Sequence, residues 1–517
     1  MKKNAQKYLL LFLTMGLLFT NCNNDDDIVP ETETEEEQQP EDPAPTVEDF
    51  PVQDFMWQAM NFWYFWLDDV PNLADDKFDS LEDPAYVEFL ASEENPAAFF
   101  DNKLRFSEDR FTFYSDNYVE LTQSLSGISE SNGMEFELFR YGDGNDVAGI
   151  VRYIALGSDA ETKDIKRGDI FIGVDGETLF QDRNDASNSN LFDLLAGPNS
   201  SEYTLNMADI VDGAIVPNDK DVELTKVANF AENPIQVDTV LTVGSSKIAY
   251  LMYNQFLNEY DEELNNAFGK FVSEGATELV LDLRYNPGGS VNSARLLSSM
   301  VYGTDTTDLF IRQRWNSRLQ SLLTEEQLTD NFADETSDGT AVNSMNLSRV
   351  YILATGASAS SSELVINGLA PYIDVVHIGE TTTGKNEFSI TFVDDPDSNF
   401  GPWIFNPERE SEINPANQWA IQPLVGRNEN ADGFFEYTQG LAPDVEFSEM
   451  LENFGVLGTP DEPFLAQAIQ LITGSGTAKR GLRDGTPVNA FTNSAMFSPV
   501  KDNMWLDKPL NLGLSRK

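Results

Sequence analysis

The sequence predicts a mixed α/β protein, and three consecutive stretches carry that prediction. Apolar strand-like runs alternate with helix-like runs from about residue 235 to 472, which is typical of an α/β layer architecture. Short β-type runs separated by turns fill residues 120–228, and an aromatic, helix-like region precedes them. We therefore expect a helical N-terminal region, an inserted β domain and an α/β core.

The composition of the 517 residues disfavours several classes of function. The 87 acidic and 33 basic residues give a net charge of −54, which repels phosphate backbones and disfavours a nucleic-acid partner. With Cys22 and His377 as the only cysteine and histidine, an intrachain disulfide is impossible and a Cys/His zinc site is disfavoured. The sequence has no nucleotide-binding glycine motif, so we expect no metal and no cofactor.

Residues 1–21 resemble a bacterial lipoprotein signal peptide. Three lysines accompany an apolar stretch, Tyr8 to Phe19, that is too short to span a bilayer comfortably. The stretch leads to Cys22, the expected lipidation site, although Asn21 is not the small residue usual before it. A secretory signal with an incidental cysteine is the alternative. We expect a lipid-anchored protein in the cell envelope of a Gram-negative-type bacterium, at the periplasmic or surface face of the outer membrane.

Residues 22–118 divide into a tether and a helical region. Residues 22–49 are acidic and rich in Pro and Glu, without periodicity, which predicts a disordered tether. Residues 50–118 are helix-like, and "MWQAMNFWYFW" brings many aromatic side chains together. We interpret this stretch as a packing face, with the lining of a substrate path as the alternative.

Residues 119–228 resemble a PDZ domain of the bacterial protease type. The matching features are a strand, a short helix leading to Arg167-Gly168-Asp169, and "IFIGVDGETL" with a tight turn at Asp175-Gly176. Such a domain adds a peptide strand to a sheet edge and captures a C-terminal carboxylate on backbone N–H groups. "SLSGISESNGMEF" is the candidate carboxylate loop, with an ordinary surface loop as the alternative.

Residues 229–474 form the predicted core, and residues 475–517 a tail. In the core, "YDEELNNAFGKFVSEG" predicts an amphipathic helix that stops at Gly275. "ELVLDLRYNPGGSVNSARLL" reads as strand, glycine turn and helix, and "SRVYILATGASASSSELVINGLA" repeats that order. The tail carries seven basic and three acidic residues, which favours contact with the acidic body, but the sequence assigns it no function.

The serine-rich stretch "TGASASSSEL" lies at the start of a helix predicted to begin near Ser361. A strand-to-helix turn exposes a hydroxyl and directs free N–H groups at developing negative charge. A nucleophilic serine also needs a general base to take its proton, and this residue is harder to assign. His377 lies in the apolar run "DVVHIGE", so we interpret it as a core or edge-strand residue. Lys385 is the alternative, and it serves as a base only if burial lowers its pKa.

From about residue 50 to 472 the chain resembles the C-terminal processing peptidases, or tail-specific proteases. These are serine peptidases with a Ser-Lys dyad, an embedded PDZ domain and a ClpP/crotonase-like core. "LVLDLRYNPGG", "GASASSSELV" and "IGETTTGK" are similar to the family's glycine-turn, nucleophile and lysine segments. "GLAPDVEF" and "PDEPFLAQAIQLI" are similar to its closing segments.

The resemblance implies an endopeptidase that hydrolyses polypeptides through an acyl-enzyme, with Ser360 as nucleophile and Lys385 as base. It places the oxyanion hole at backbone N–H groups of Gly288, Gly289 and Ser361. The remaining expectations are supporting roles: Glu363 beside the dyad, Asp282 and Arg284 for positioning the glycine turn, and Ser358, Ser361 and Ser362 as turn or cap residues.

The chain departs from the family pattern at Ser389, where many members have a glutamine that orients the lysine. A serine hydroxyl there is able to accept a hydrogen bond from Lys385, whereas a nearby Glu387 would raise the pKa of the lysine. Two other functions stay open. One is a non-catalytic surface lipoprotein that binds peptides or small apolar ligands, and the other is a scaffold in which only the PDZ-like region matters.

Overall fold

The computed structural model describes residues 44–474, 485–498 and 500–507. The helices there are α1 (Pro51–Trp63), α2 (Pro84–Leu90), α3 (Pro96–Phe99), α4 (Tyr118–Leu125), α5 (Leu191–Leu195), α6 (Asp261–Glu274), α7 (Val291–Val301), α8 (Ser317–Leu322), α9 (Glu325–Leu328), α10 (Ser361–Leu369) and α11 (Pro463–Thr473). The strands are β1 (Phe113–Ser115), β2 (Ile128–Ser131), β3 (Met134–Arg140), β4 (Val147–Ile154), β5 (Ile170–Val174), β6 (Glu177–Thr178), β7 (Glu202–Val211), β8 (Ala214–Thr225), β9 (Val227–Ala231), β10 (Ile235–Val243), β11 (Ser246–Tyr253), β12 (Glu278–Asp282), β13 (Gly289–Ser290), β14 (Leu309–Trp315), β15 (Thr329–Asn331), β16 (Arg349–Ala354), β17 (Asp374–Gly379), β18 (Glu387–Ser389), β19 (Phe392–Val393), β20 (Ala420–Gln422), β21 (Leu424–Glu429), β22 (Val445–Glu446), β23 (Ala490–Asn493) and β24 (Met504–Trp505).

The central sheet has the order β10-β11-β12-β16-β17-β22 and is parallel except for β10. Its strands are apolar on both faces, as parallel strands covered by helices require. In β12, Leu279 and Leu281 pack in one hydrophobic cluster with residues of α6, α7 and α10. Val280, between them, packs in a second cluster with residues of α11. Because β12 and β16 are parallel neighbours, the loops that follow them emerge at the same edge. These loops are the glycine turn and the serine-rich segment.

The helices around this sheet begin and end where their local signals place them. The helix predicted to stop at Gly275 is α6, and Gly275 closes it in the left-handed conformation, with φ of 74°. The helix predicted near Ser361 is α10, which begins at that residue.

The aromatic N-terminal region is part of the core. Trp57, Met60 and Trp63 are buried among residues of the central sheet and its helices. The indole nitrogen of Trp63 donates to the carbonyl of Pro402 (2.9 Å), and its ring lies 5.4 Å from that of Phe392. The packing-face interpretation is confirmed for these side chains.

Residues 134–225, together with β23, form a second sheet that we call the β module. It is antiparallel, with the strand order β23-β3-β4-β5-β7-β8, and β6 pairs with β5. Asp175 and Gly176, both at positive φ, make the predicted tight turn between β5 and β6. The short helix predicted before Arg167 is only a single 3-10 turn, Ala160–Thr162. Helix α4, inside the predicted PDZ-like segment, packs instead with core residues, because its apolar residues share a cluster with Leu257 and Val393.

The described part of the tail adds strands to two sheets. Strand β23 extends the β module, and β24 lies in the sheet β13-β24-β18-β21-β14-β15. In that sheet β24 runs parallel to both of its neighbours. Over the described ranges, none of the helices combines the length and apolarity needed to cross a bilayer.

Candidate active site

The serine-rich loop is bound to the glycine turn by three of its four clustered hydroxyls. Each donates to a carbonyl on or just before that turn: Ser358 to Leu283 (2.7 Å), Ser361 to Gly289 (2.8 Å) and Ser362 to Asn286 (2.9 Å). Ser361 and Ser362 thus join two loops, rather than capping a helix or closing a turn as the sequence suggested. The expectation was wrong for these two because their acceptors lie more than 70 residues away in the chain. Ser358 also accepts from Thr355 N (2.9 Å) within its own turn, so its assignment as a turn residue is confirmed.

Ser360 is the exception in this cluster. Its hydroxyl is buried and has no hydrogen-bond partner among the described residues. Its backbone has φ of 65° and ψ of −115° at the N-terminus of α10, a conformation that is costly for a residue with a Cβ. An unengaged hydroxyl on a strained turn at a helix N-terminus is suited to a nucleophile.

The Glu363 carboxylate connects Ser360 to the lysine segment. It accepts four hydrogen bonds, from Ser360 N (2.8 Å), Lys385 N (2.9 Å), Gly384 N (2.7 Å) and Thr382 Oγ1 (2.5 Å). Burial raises the pKa of Glu363 to about 7, and these bonds act against that rise. Because the amides of Ser360 and Lys385 share one carboxylate oxygen, Oε2, the two residues are held side by side.

Lys385 is fully buried, with 0% of its surface exposed. Burial lowers the pKa of its ammonium to about 8, against the opposing charges of Asp502, Glu387, Asp109 and Glu363. At Lys385, burial therefore outweighs the effect of the surrounding negative charges on the pKa. A substantial fraction of Lys385 is neutral at mildly alkaline pH, which a general base requires.

An asparagine from the tail takes the hydrogen bond of the lysine. Lys385 Nζ donates to Asn503 Oδ1 (3.0 Å), and Ser389 Oγ lies 2.9 Å from the same oxygen. Gln422, at the end of β20 in another sheet, donates from Nε2 to Ser389 Oγ (3.0 Å). Ser389 thus reaches the lysine through Asn503. Sequence reasoning missed Asn503 and Gln422, and the missing glutamine at position 389 was the only signal that another amide was needed.

The glycine turn permits a close approach of the nucleophile. A Cβ on Gly288 would lie 2.5 Å from Ser360 Cβ, and one on Gly289 would lie 2.1 Å from the carbonyl oxygen of Phe256. Both glycines have positive φ. The Gly288 N–H donates to Asn286 Oδ1 (2.9 Å) within the turn. Of the predicted oxyanion donors, Gly288 is thus already engaged within the turn, and the assignments of Gly289 and Ser361 stay predictions.

Buried charged side chains bind one another at the base of the glycine turn. Arg284 is fully buried and binds the carboxylates of Asp282 and Glu462. It also lies 3.2 Å from Glu449 Oε1, to which Arg167 of the β module donates at 2.5 Å. Asp282 and Arg284 thus hold the base of the glycine turn and connect it to the β module.

The other candidate residues lie apart from this centre. His377 is buried in β17, its pKa is lowered by burial, and its Nε2 is 3.4 Å from the carbonyl of Ala354. Its interpretation as a strand residue is confirmed. Cys22 lies outside the described residues. Within the described ranges, no group of three or more His, Cys, Asp or Glu side chains is arranged to hold a metal ion.

Fold and site together define a mixed α/β protein in which Ser360 and Lys385 are held on one buried carboxylate, that of Glu363. Residues 247–447 match the model of "Peptidase family S41", and residues 51–113 match that of the "Peptidase S41 N-terminal domain". The chain belongs to peptidase family S41, a family of serine-type peptidases, and is similar to the C-terminal processing proteases.

Two curated relatives and one solved structure give the extent of this similarity. A "Probable CtpA-like serine protease" of Staphylococcus aureus is 26% identical over 235 residues, 46% of this chain and 41% of the relative. A "Carboxyl-terminal-processing protease" of Picosynechococcus is 25% identical over 277 residues, 52% of this chain and 58% of the relative. A crystal structure assigned to the S41 proteases of Bacteroides fragilis shares the fold, with a TM-score of 0.61, 24% identity, and coverage of 81% of this chain and 97% of that one. The chain thus spans about half the length of the curated relatives that it matches.

Proposed function

We propose that this chain is a serine endopeptidase that hydrolyses polypeptides through an acyl-enzyme on Ser360. The observation that carries the proposal is the pairing of a strained, unengaged serine hydroxyl with a buried lysine of lowered pKa, both bound to Glu363. Neither feature stabilises the fold, since the backbone strain and the buried amine both cost free energy.

The proposed reaction follows from these positions. Neutral Lys385 takes the proton of the Ser360 hydroxyl as Oγ attacks a peptide carbonyl. The backbone N–H groups of Gly289 and Ser361 then stabilise the oxyanion, aided by the N-terminus of α10. The lysine returns its proton to the departing amine, and water releases the acyl group by the reverse proton movements.

Cleavage of an unfolded protein such as casein tests this proposal. The mature chain, residues 22–517 after the expected signal cleavage, is compared with Ser360→Ala and Lys385→Met. The matched controls are Ser317→Ala and Lys103→Met, which lie away from the site. We expect the dyad variants to lose at least about 10³-fold in kcat/KM and the controls to keep full rates. A fluorophosphonate adduct, located by mass spectrometry, is expected on Ser360.

The outcomes separate the competing functions. Equal cleavage by all variants would show that another nucleophile or a contaminant is responsible. Binding of unfolded polypeptide without cleavage or adduct would support the binding-protein function, which is favoured by the complete burial of both dyad side chains.

We further propose that the β module captures polypeptide segments by strand addition. The support is the pairing of β3 with an additional strand, β23. In the predicted carboxylate loop, the N–H groups of Gly133 and Met134 already donate to side chains of their own loop, those of Ser131 and Asn132. Strand pairing thus has more support than carboxylate capture.

Lipid anchoring at Cys22 and location in the outer membrane remain proposals supported by the sequence alone. Metabolic labelling with an alkyne fatty acid tests the anchor, with Cys22→Ser as the control. We expect label on the wild-type chain only, and label on neither chain would show that residues 1–21 are not a lipoprotein signal. Protease treatment of intact cells then distinguishes the surface from the periplasmic face.

A further inference from the structure

The described part of the tail, residues 485–498 and 500–507, is here called the tail segment. It carries β23 and β24, which lie in the two places where a substrate strand of a peptidase would be expected. One is the edge of the β module, and the other is the cleft beside Ser360. The tail segment is thus bound to the body of its own chain as a peptide would be.

The first place is the groove between β3 and α5. Strand β23 pairs antiparallel with β3, opposing Thr492 to Leu138. Just beyond it, the ring of Phe497 lies 6.3 Å from Phe136 on β3 and 6.2 Å from Phe192 on α5. An added strand followed by an aromatic anchor is the form in which a sheet edge recognises an extended peptide.

The second place is the catalytic cleft. Strand β24 lies between β13, which belongs to the glycine turn, and β18, which follows the lysine. The carbonyl oxygen of Asn503 would lie 2.6 Å from a Cβ on Gly288, close to Ser360 on the other side. The tail segment therefore fills the space in which the main chain of a substrate has to run.

A cavity of about 660 Å³ lies between the β module and the glycine turn. Its lining includes Phe136 of β3, the segment between α4 and β3, Pro287 of the glycine turn and the tail residues Ser494, Phe497 and Val500. The cavity thus extends from the groove of the β module to the start of the glycine turn.

The contacts in the cleft join the lysine to the tail and not to the serine. Lys385 Nζ is engaged by Asn503 Oδ1, and the Ser360 hydroxyl finds no partner in the described chain. The other amide atom of Asn503, Nδ2, is also buried without a partner among the described residues. Burying unpaired polar atoms costs free energy, so this docking is weaker than its strand pairing suggests.

We propose that the tail segment is a self-bound peptide that occupies the substrate path and holds the dyad closed until it is displaced. This inference rests on the proposed peptidase function and adds its regulation. The competing polypeptide would be an extended segment with an aromatic side chain for the Phe136–Phe192 groove.

The test uses substitutions, made in the full mature chain, that weaken the binding of the tail segment to the β module at a distance from Ser360 and Lys385. Two groove variants, Phe497→Asp and Val488→Asp, each place a charge on the tail side of its contact with the β module, and Val456→Asp adds the same charge at an exposed site as the matched control. We expect kcat/KM on casein to rise roughly tenfold in the two groove variants and to stay unchanged in the control. Adding Ser360→Ala to Phe497→Asp is expected to abolish the rise.

Hydrogen exchange provides a readout that does not depend on activity. In the Ser360→Ala chain, Phe497→Asp is expected to speed amide exchange in β3 and at Gly289–Ser290 together, and an added peptide of residues 485–507 is expected to slow it again. Unchanged exchange would overturn the inference. So would a fall in cleavage by the groove variants, because the tail would then complete the catalytic centre. Faster exchange without cleavage by any variant would support the docking and count against the peptidase function.

Discussion

At the scale of single residues, the serine cluster divides by what each hydroxyl contacts. Ser358, Ser361 and Ser362 bind carbonyls of the glycine turn, and Ser360 stands in a strained backbone conformation without a described partner. Four chemically equal side chains within five positions thus have opposite effects on stability. Backbone geometry, rather than residue type, distinguishes the nucleophile from its supports.

Stability measurements should reveal this division. We expect Ser362→Ala to lower the free energy of unfolding by about 1–2 kcal/mol, because it leaves the buried Asn286 carbonyl without this donor. Ser360→Gly should raise it by about 1 kcal/mol, because glycine relieves the strain of a positive φ. Urea unfolding of the variants measures both changes. Equal losses at the two positions would contradict the assignment of strain to Ser360.

The protonation of Lys385 gives a second prediction at this scale. Only the neutral amine accepts a proton, so activity should fall as pH falls through the lysine pKa of about 8. Asp502, Glu387, Asp109 and Glu363 face the lysine and raise its pKa. Removing the first of these charges in Asp502→Asn should therefore lower the pKa.

NMR titration of the Lys385 side-chain carbon next to Nζ, in the Ser360→Ala chain, measures that pKa in the closed form. The signal is assigned by its loss in Lys385→Met. The exposed Asp338→Asn variant is the control and should leave the titration midpoint unchanged. A midpoint that rises in Asp502→Asn would show that burial, rather than charge, had changed.

At the scale of elements, the two loops of the site are brought together by the adjacency of β12 and β16. The glycine turn follows one strand and the serine-rich segment follows the other, so their contact is a result of sheet order. The closeness of the two loops depends on Gly288, at which any side chain would collide with Ser360.

Gly288→Ala is therefore expected to lower kcat/KM by at least about 10²-fold, because the loops have to separate and the oxyanion donors move with them. Gly339→Ala, a matched change at another glycine of positive φ with open space around it, should leave kcat/KM unchanged. Steady-state kinetics measure both. Full activity of Gly288→Ala would show that the turn adjusts without affecting the centre.

The elements that rest on local signals were predictable from the sequence. The stop of α6 at Gly275, the start of α10 at Ser361 and the turn at Asp175-Gly176 each depend on a few adjacent residues. The partners of Lys385 were not predictable in this way. Asn503 lies 118 positions further along the chain, just before the two-residue strand β24, which has no periodic pattern, and its contact exists only in the folded protein.

At the scale of the whole molecule, a buried charge network joins the β module to the core. Arg167 donates to Glu449 (2.5 Å) and to the hydroxyl of Tyr285 (2.6 Å), next to the glycine turn. Arg284 shares Glu449 from the core side. The β module is thus joined to the core beside the glycine turn by charges that are largely shielded from water.

Arg167→Met should lower the free energy of unfolding by about 3–5 kcal/mol, because breaking a buried pair leaves part of its charge uncompensated. The matched change Arg349→Met removes an exposed pair with Asp374 and should cost less than about 1 kcal/mol. Urea unfolding measures both. Similar losses for the two variants would show that the network is more hydrated than its burial indicates.

The contact of Trp63 with Pro402 has a consequence for how the protein folds during its synthesis. The two residues are 339 positions apart, so the first helix remains without its partner until most of the chain has been synthesised. Such non-local contacts slow folding, because a long loop has to close before any burial is gained. During translation the aromatic segment therefore lacks this partner, and we expect the nascent chain to expose it until the distant half of the chain has been made.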